Sequence, residues 1–243
     1  FTTDQPGKLS VTLGDETQSS GYLGWSLFLY NGDREQIGKT ELTQGTASVT
    51  IPEQGFDPGT FYIQVKTNAM TNGNWSGAEQ YTLTADFTPT DSTYESEPND
   101  STSRADVMLP NTPVSGKLSD ESDVDYYKVT LDSAAQFSLC LEHALPDDLS
   151  SSGTPWTVTC YPFDEKTGTL REDKAVTLDA ALGKTKTESE TVLVRGGTYY
   201  VEVRHKGIGG FSDLEYTLTM QAEMLMQYLI HTDSGSCQKS SSP

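Results

Sequence analysis

Short runs of strict alternation dominate the chain. Leu9, Val11 and Leu13 alternate with Lys8, Ser10 and Thr12, and Phe61, Ile63 and Val65 with Tyr62, Gln64 and Lys66. A period of two puts the apolar set on one face of an extended strand and the polar set on the other. Turn signals punctuate the runs: Asn31-Gly32-Asp33, Asp57-Pro58-Gly59, Thr71-Asn72-Gly73-Asn74 and Arg195-Gly196-Gly197. The single segment open to a helical reading is Gln221–Ile230. Short strands at this spacing predict an all-β chain of antiparallel sandwiches or barrels.

The runs also repeat. Phe1–Leu13 lies over Val129–Leu141 at an offset of 128, and Gly24–Leu27 over Pro155–Val158 at 131. Gly59–Val65 lies over Gly197–Val203 at 138, and Tyr81-Thr82-Leu83-Thr84 recurs as Tyr216-Thr217-Leu218-Thr219 at 135. Offsets that drift by a few residues are what loop insertions between fixed strands produce. The expectation is two tandem antiparallel β-sandwiches of jelly-roll-like build: residues 1–88, a linker over 89–96, residues 97–222, and a tail over 223–243. Phe1 aligns with Val129, so the first copy lacks its N-terminal strands, the counterpart of 95–128. A sandwich without those strands exposes an edge, and the native polypeptide is expected to extend upstream.

Composition narrows the function. With 35 acidic against 16 basic residues, the formal charge is −19, which opposes binding to nucleic acid or to anionic membranes. The longest apolar stretch, Met224–Ile230, is far too short to span a bilayer. No charged start and apolar core of a signal peptide opens the sequence, so a secreted protein would have shed it. Three cysteines without Cys-x-x-Cys argue against a disulfide framework and a zinc site. Strand phase turns Cys140 outward and Cys160 inward, so those two are not expected to pair.

The chemistry-bearing stretch is acidic. Glu95, Glu97, Asn99 and Asp100 fall within six residues, and Asp120, Glu121, Asp123 and Asp125 follow about two dozen residues later. Oxygen groups packed so densely repel one another unless a cation or water sits among them. A hard cation taking six to eight oxygens suits them, and calcium is the commonest outside cells. The plain alternative is a solvated acidic linker running into an Asx-rich turn. No EF-hand loop is present, so a site has to be assembled from separate segments. Catalytic patterns are missing: His143, His205 and His231 show no metal-protease spacing, and no nucleophile elbow or phosphate loop occurs. Asp147 and Asp148 read as solvated loop, and Trp25 and Trp156 as core. Trp75, in an Asn/Gly loop, is a candidate ligand contact.

The blocks resemble the bacterial pre-peptidase C-terminal domain, a β-sandwich appended to secreted peptidases, and the related collagen-binding module of bacterial collagenases. The resemblance rests on Glu95-Ser96-Glu97-Pro98-Asn99-Asp100, on Pro113–Leu118, on Asp123-Val124-Asp125-Tyr126-Tyr127-Lys128-Val129, on Trp156 and on Gly197–Tyr200. It implies a calcium site in the second copy, with Glu95, Glu97, Asn99, Asp100 and Asp125 as ligands. Asp123 joins them, although the relative's first aspartate falls one position earlier, where this chain has Ser122. The relative grips collagen from the outward phase of the Gly-x-Tyr-Tyr strand. Here that phase holds a single aromatic in each copy, Tyr62 and Tyr200, followed by polar residues. The resulting expectation is a non-catalytic binding or spacer module of a secreted or cell-surface bacterial protein, with a peptidase among the candidate parents. Its partner would be an extracellular protein or polysaccharide, with no nucleic acid and no membrane insertion, and calcium would stiffen the joint. The alternative is a carbohydrate-binding tandem that uses Trp75.

Overall fold

The computed structural model describes residues 1–15, 24–43, 46–68, 80–91, 93–144, 156–180, 183–206 and 214–225. Its regular structure is almost all strand. The first group comprises β1 (Thr2–Thr3), β2 (Gly7–Asp15), β3 (Gly24–Tyr30), β4 (Gln36–Leu42), β5 (Ser48–Phe56), β6 (Gly59–Thr60), β7 (Tyr62–Asn68) and β8 (Tyr81–Pro89). The second opens with β9 (Asp106–Val107), β10 (Val114–Gly116), β11 (Val124–Leu131), β12 (Ala135–His143), β13 (Trp156–Asp164) and β14 (Thr169–Leu170). It continues with β15 (Val176–Asp179), β16 (Lys186–Glu188), β17 (Val192–Val194), β18 (Gly197–His205) and β19 (Tyr216–Met224). Among the described residues, no helix is long and apolar enough to cross a membrane.

Each group folds as two facing sheets. In the first, β5-β2-β8 faces β4-β3-β7, and Leu9, Val11, Leu13 and Ile51 from one sheet meet Trp25, Leu27, Leu29 and Leu42 from the other. In the second, β10-β19-β12, with β16 and β17 beside β12, faces β13-β18-β11-β9. There Phe137, Leu139, Leu141 and Leu218 meet Trp156, Val158, Val201 and Val203. Alternation produces this directly, because every second residue of each strand points into the shared core. Among the described residues the architecture is β-sandwich-like and antiparallel, apart from the short parallel pairing of β9 with β11 and a parallel bridge between Tyr94 and Ser115.

The ladders of the two groups run in the same register under the sequence offsets. Gly7 opposite Pro89 falls on Ala135 opposite Met224, and Trp25 opposite Thr67 falls on Trp156 opposite His205. Even the two-residue pair of Thr2 with Thr60 falls on Thr130 with Thr198. The second group carries β9, β10 and most of β11 in addition.

Three expectations need correction. Gln221–Met224 is not helical but the end of β19, held by its ladder with Ala135–Ser138. The linker expected over 89–96 is not separate from the sandwiches: Pro89 ends β8, Ser115 N–H donates to Thr93 O at 2.8 Å and Glu95 N–H to Ser115 O at 2.9 Å, and just beyond it Glu97 N–H donates to Gly55 O at 2.8 Å. Cys140 does lie on the phase opposite Leu139 and Leu141, yet it is buried at 3% exposure, with the exposed Lys186, Glu188 and Glu142 acting on its thiol. Cys140 and Cys160 are free thiols, and Cys237 lies outside the described residues.

Candidate metal centre

The acidic opening is drawn into the second sandwich by main-chain bonds. Tyr94 bridges to Ser115 in parallel, which delivers the next side chain, Glu95, inward between the sheets. The chain then turns through a cis Glu97–Pro98 peptide, and Asn99 O accepts Tyr126 N–H at 3.1 Å at the start of β11. Alternation along β11 sends Asp125, Tyr127 and Val129 inward, so Asp125 enters the same space from the opposite side. Gly116 makes the room. A Cβ there would come within 2.5 Å of Glu95 Oε2 and Tyr216 Oη, closer than side chains tolerate.

Carboxylate oxygens of Glu95, Glu97 and Asp125 lie within 4.8 Å of one another. Glu95 is 3% exposed and Asp125 and Asn99 are 0% exposed. Glu95 Oε1 accepts Lys117 N–H at 2.6 Å, and its Oε2 accepts the Tyr127 hydroxyl at 3.1 Å. Tyr216 Oη donates to Asp125 Oδ2 and lies 2.7 Å from Tyr127 Oη. Asp123 accepts Ser119 N–H, and its own burial, with the charge of Asp100 beside it, pushes its carboxyl up to about 6. Asp100 is exposed at the rim and its charge also raises Glu97.

No basic side chain enters this cluster among the described contacts. Desolvation first, and the neighbouring carboxylates second, raise Glu95, Glu97 and Asp125 well above the ordinary carboxylate range. Three buried oxygens also lack any hydrogen-bond partner: Glu97 Oε1, Asn99 Oδ1 and Asp125 Oδ1. Buried polar atoms are nearly always satisfied, so three orphans in one place point to something they would bind. The donor set is oxygen only, from carboxylates and one amide, which is the chemistry of a hard divalent cation.

All six acidic-strip candidates therefore converge: Glu95, Glu97 and Asp125 at the centre, Asn99 among them, Asp123 and Asp100 flanking. Sequence reasoning missed Tyr127 and Tyr216, whose hydroxyls meet over Glu95. Their signal was present as two tyrosines on the inward phase of strands β11 and β19, which face each other from the two sheets, where a buried hydroxyl needs a partner. The aromatic candidates fare differently. Tyr200 is buried at 7% exposure, edge-on to Phe163 at 5.3 Å, so it is not the open contact expected from its phase. Tyr62 is 46% exposed, and β3 brings Phe28 and Tyr30 onto the same sheet face beside it. Trp75, Asp147 and Asp148 lie outside the described residues.

No protein-family model matches the chain. No curated protein matches it either. Among solved structures it is similar to the pre-peptidase C-terminal domain of a collagenase from Bacillus anthracis, at 16% identity and a TM-score of 0.35, over 48% of this chain and 94% of that one. It is also similar to the CUB1-EGF-CUB2 region of human MASP-1/3, at 11% identity and a TM-score of 0.26, over 90% of each chain. A third likeness is to Broad Bean Stain Virus, at 10% identity and 0.28, over 90% of this chain and 76% of the other. At these scores the likenesses carry no inference about what the chain does.

Proposed function

We propose that this chain is a non-catalytic accessory module of an extracellular or cell-surface protein, two β-sandwiches of the pre-peptidase C-terminal kind in series, with a calcium ion holding the segment between them. The observation that carries this reading is the knot of buried Glu95 and Asp125 and half-buried Glu97, with unpartnered oxygens on Glu97, Asn99 and Asp125. Calcium supplies the positive charge that these oxygens lack. Glu95, Glu97, Asp125 and Asn99 would hold it, with Asp123 and Asp100 adding charge from the side. The tandem arrangement is supported by the matching ladder registers and by two separate apolar clusters.

The same segment touches the first sandwich. Glu97 N–H reaches Gly55 O, and Asp57 N–H donates to Ser96 Oγ at 2.8 Å. Lys8 pairs with Glu215 at 2.7 Å and Arg104 with Glu35 at 2.6 Å across the joint. A cation that orders residues 95–100 would therefore order the joint as well, which is what a spacer in a larger extracellular protein needs. The cluster is too enclosed to serve as an acid–base centre, since Glu95 and Asp125 present almost no surface to a substrate.

Terbium titration tests the ion site. Tyr127 and Tyr216 lie against the ligands, so excitation of tyrosine should sensitise bound terbium, and calcium should displace it. Asp125→Asn should abolish the signal. Absence of sensitised emission in the native chain, with no change in melting between EDTA and millimolar calcium, would remove the site from this account.

A further inference from the structure

Asn99 is fully buried, and all but one of its hydrogen-bonding groups are matched. Its N–H donates to Glu97 Oε2 at 3.2 Å, and its carbonyl oxygen accepts Ser101 N–H at 2.8 Å and Tyr126 N–H at 3.1 Å. Its side-chain nitrogen is directed at Asp106 Oδ2, 3.5 Å away, and Oδ1 is left without a partner. The main chain therefore fixes where the amide stands. Among the described contacts, Asp106 alone decides which way round it faces.

Asp106 opens β9, opposite Tyr127 of β11, and stands outside the acidic strip. The same oxygen, Oδ2, also accepts Ser96 N–H at 2.8 Å. Ser96 lies between Glu95 and Glu97, and its hydroxyl accepts Asp57 N–H from the first sandwich. One carboxylate oxygen thus ties together both sides of the turn at Pro98, on which Glu97 stands. An ionised carboxylate accepts hydrogen bonds and cannot donate them. With the amide turned over, Asn99 Oδ1 would oppose Asp106 Oδ2, acceptor against acceptor. As found, the nitrogen goes to Asp106 and the oxygen is left free, as Glu97 Oε1 and Asp125 Oδ1 are.

We propose that Asp106 is a positioning residue of the ion site: it does not touch the cation, but draws the Asn99 amide nitrogen to itself so that Oδ1 is the atom offered to the ion. The inference rests on the calcium reading above and adds to it a residue outside the ligand set. Without Asp106 the amide has a competing orientation, its nitrogen donating to the crowded carboxylates, which calcium binding would have to reverse. Groups that orient a metal ligand in this way are typically worth about 10–100-fold in affinity.

The test reads calcium affinity in the full chain by displacement of tyrosine-sensitised terbium, with melting in EDTA as the measure of folding. Asp106→Ala should weaken calcium about 10–100-fold, whereas Asp106→Asn, which can set an accepting oxygen in the same place, should stay within about threefold of the native chain. In an Asn99→Ala background, with no amide left to orient, Asp106→Ala should cause no further loss. Should Asp106→Ala not fold, Asp106→Glu replaces it, keeping the charge while displacing the oxygen, and the same loss is expected. Native affinity in the Ala or Glu variant overturns the proposal and leaves the calcium site standing. So does an equal loss in Asp106→Asn and Asp106→Ala, which would make charge rather than orientation the cause, and so do additive losses with Asn99→Ala. Absence of sensitised terbium in the native chain overturns the calcium reading itself, and this inference with it.

Discussion

Leu83 and Leu218 occupy the same place in their ladders, opposite Leu13 and Leu141, yet one is 42% exposed and the other is sealed. Trp25 and Trp156 form a similar pair: both face their cores, but Trp25 retains 9% exposure and leans on the exposed Tyr81 ring at 5.1 Å, while Trp156 is fully enclosed beside His143. The matching strands thus support unequal cores. What differs is the set of strands that close the side between the two sheets, and with them the acidic segment. Strand pattern sets the ladder, whereas burial depends on whether neighbouring strands are there to cover it.

The largest effect expected from this contrast concerns the two tryptophans. Trp156→Ala should cost about 3–5 kcal/mol in denaturant unfolding of the second sandwich, the usual range for emptying a closed aromatic site. Trp25→Ala should cost less than half as much, because its side of the core is open to water. Equal costs would mean that the first core is as closed as the second.

Next comes the response to pH. The crowded, desolvated carboxyls of Glu95, Glu97 and Asp125 are raised, and Asp123 lies at about 6, above its unfolded value near 4. A folded state that holds protons more tightly than the unfolded one loses stability as pH rises. In EDTA, the second sandwich should therefore melt progressively lower between about pH 4 and pH 6 and beyond. With calcium the ligands are ionised and the trend should reverse, so the calcium-induced gain grows with pH, reaching about 2.7 kcal/mol at a hundredfold excess over Kd. Parallel pH curves with and without calcium would break the contrast, because the first sandwich has no such cluster among its described residues.

The smallest effect separates two hydroxyls. Tyr216→Phe removes the donor to Asp125 and should cost about 1–2 kcal/mol and weaken calcium binding. Tyr81→Phe, at the matching but exposed place, should change stability by less than about 0.5 kcal/mol. Similar losses at both positions would show that Tyr216 acts through packing alone.

Much of this was legible from residue order. Alternation at Leu9–Leu13 and Phe61–Val65 located strands and their inward faces, and the drifting offsets anticipated the shared ladder register. The crowding of acidic residues was legible in part: Glu95, Glu97 and Asp125, though split between two segments, do bring their oxygens within 4.8 Å of one another. What escaped was set by partners distant in sequence. Tyr200 has the phase of an open residue, but Phe163 closes over it from β13. Cys140 has a polar-side phase, yet lies buried beside long charged side chains from β16. The segment around Glu95 looked like a linker because its composition is polar, and its pairing with Ser115 depends on a turn that local pattern does not announce.

Gly55 is the tightest of the points where the two halves meet. A methyl group there would meet the carbonyl oxygen of Glu95 at 2.2 Å and the Tyr94 ring at 2.5 Å. The backbone of the first sandwich is thus pressed against the back of the residue whose carboxylate serves the second. Any bulk added at position 55 must shift the backbone of Glu95, so on the proposed reading a position outside the ligand set would still bear on how tightly calcium is held.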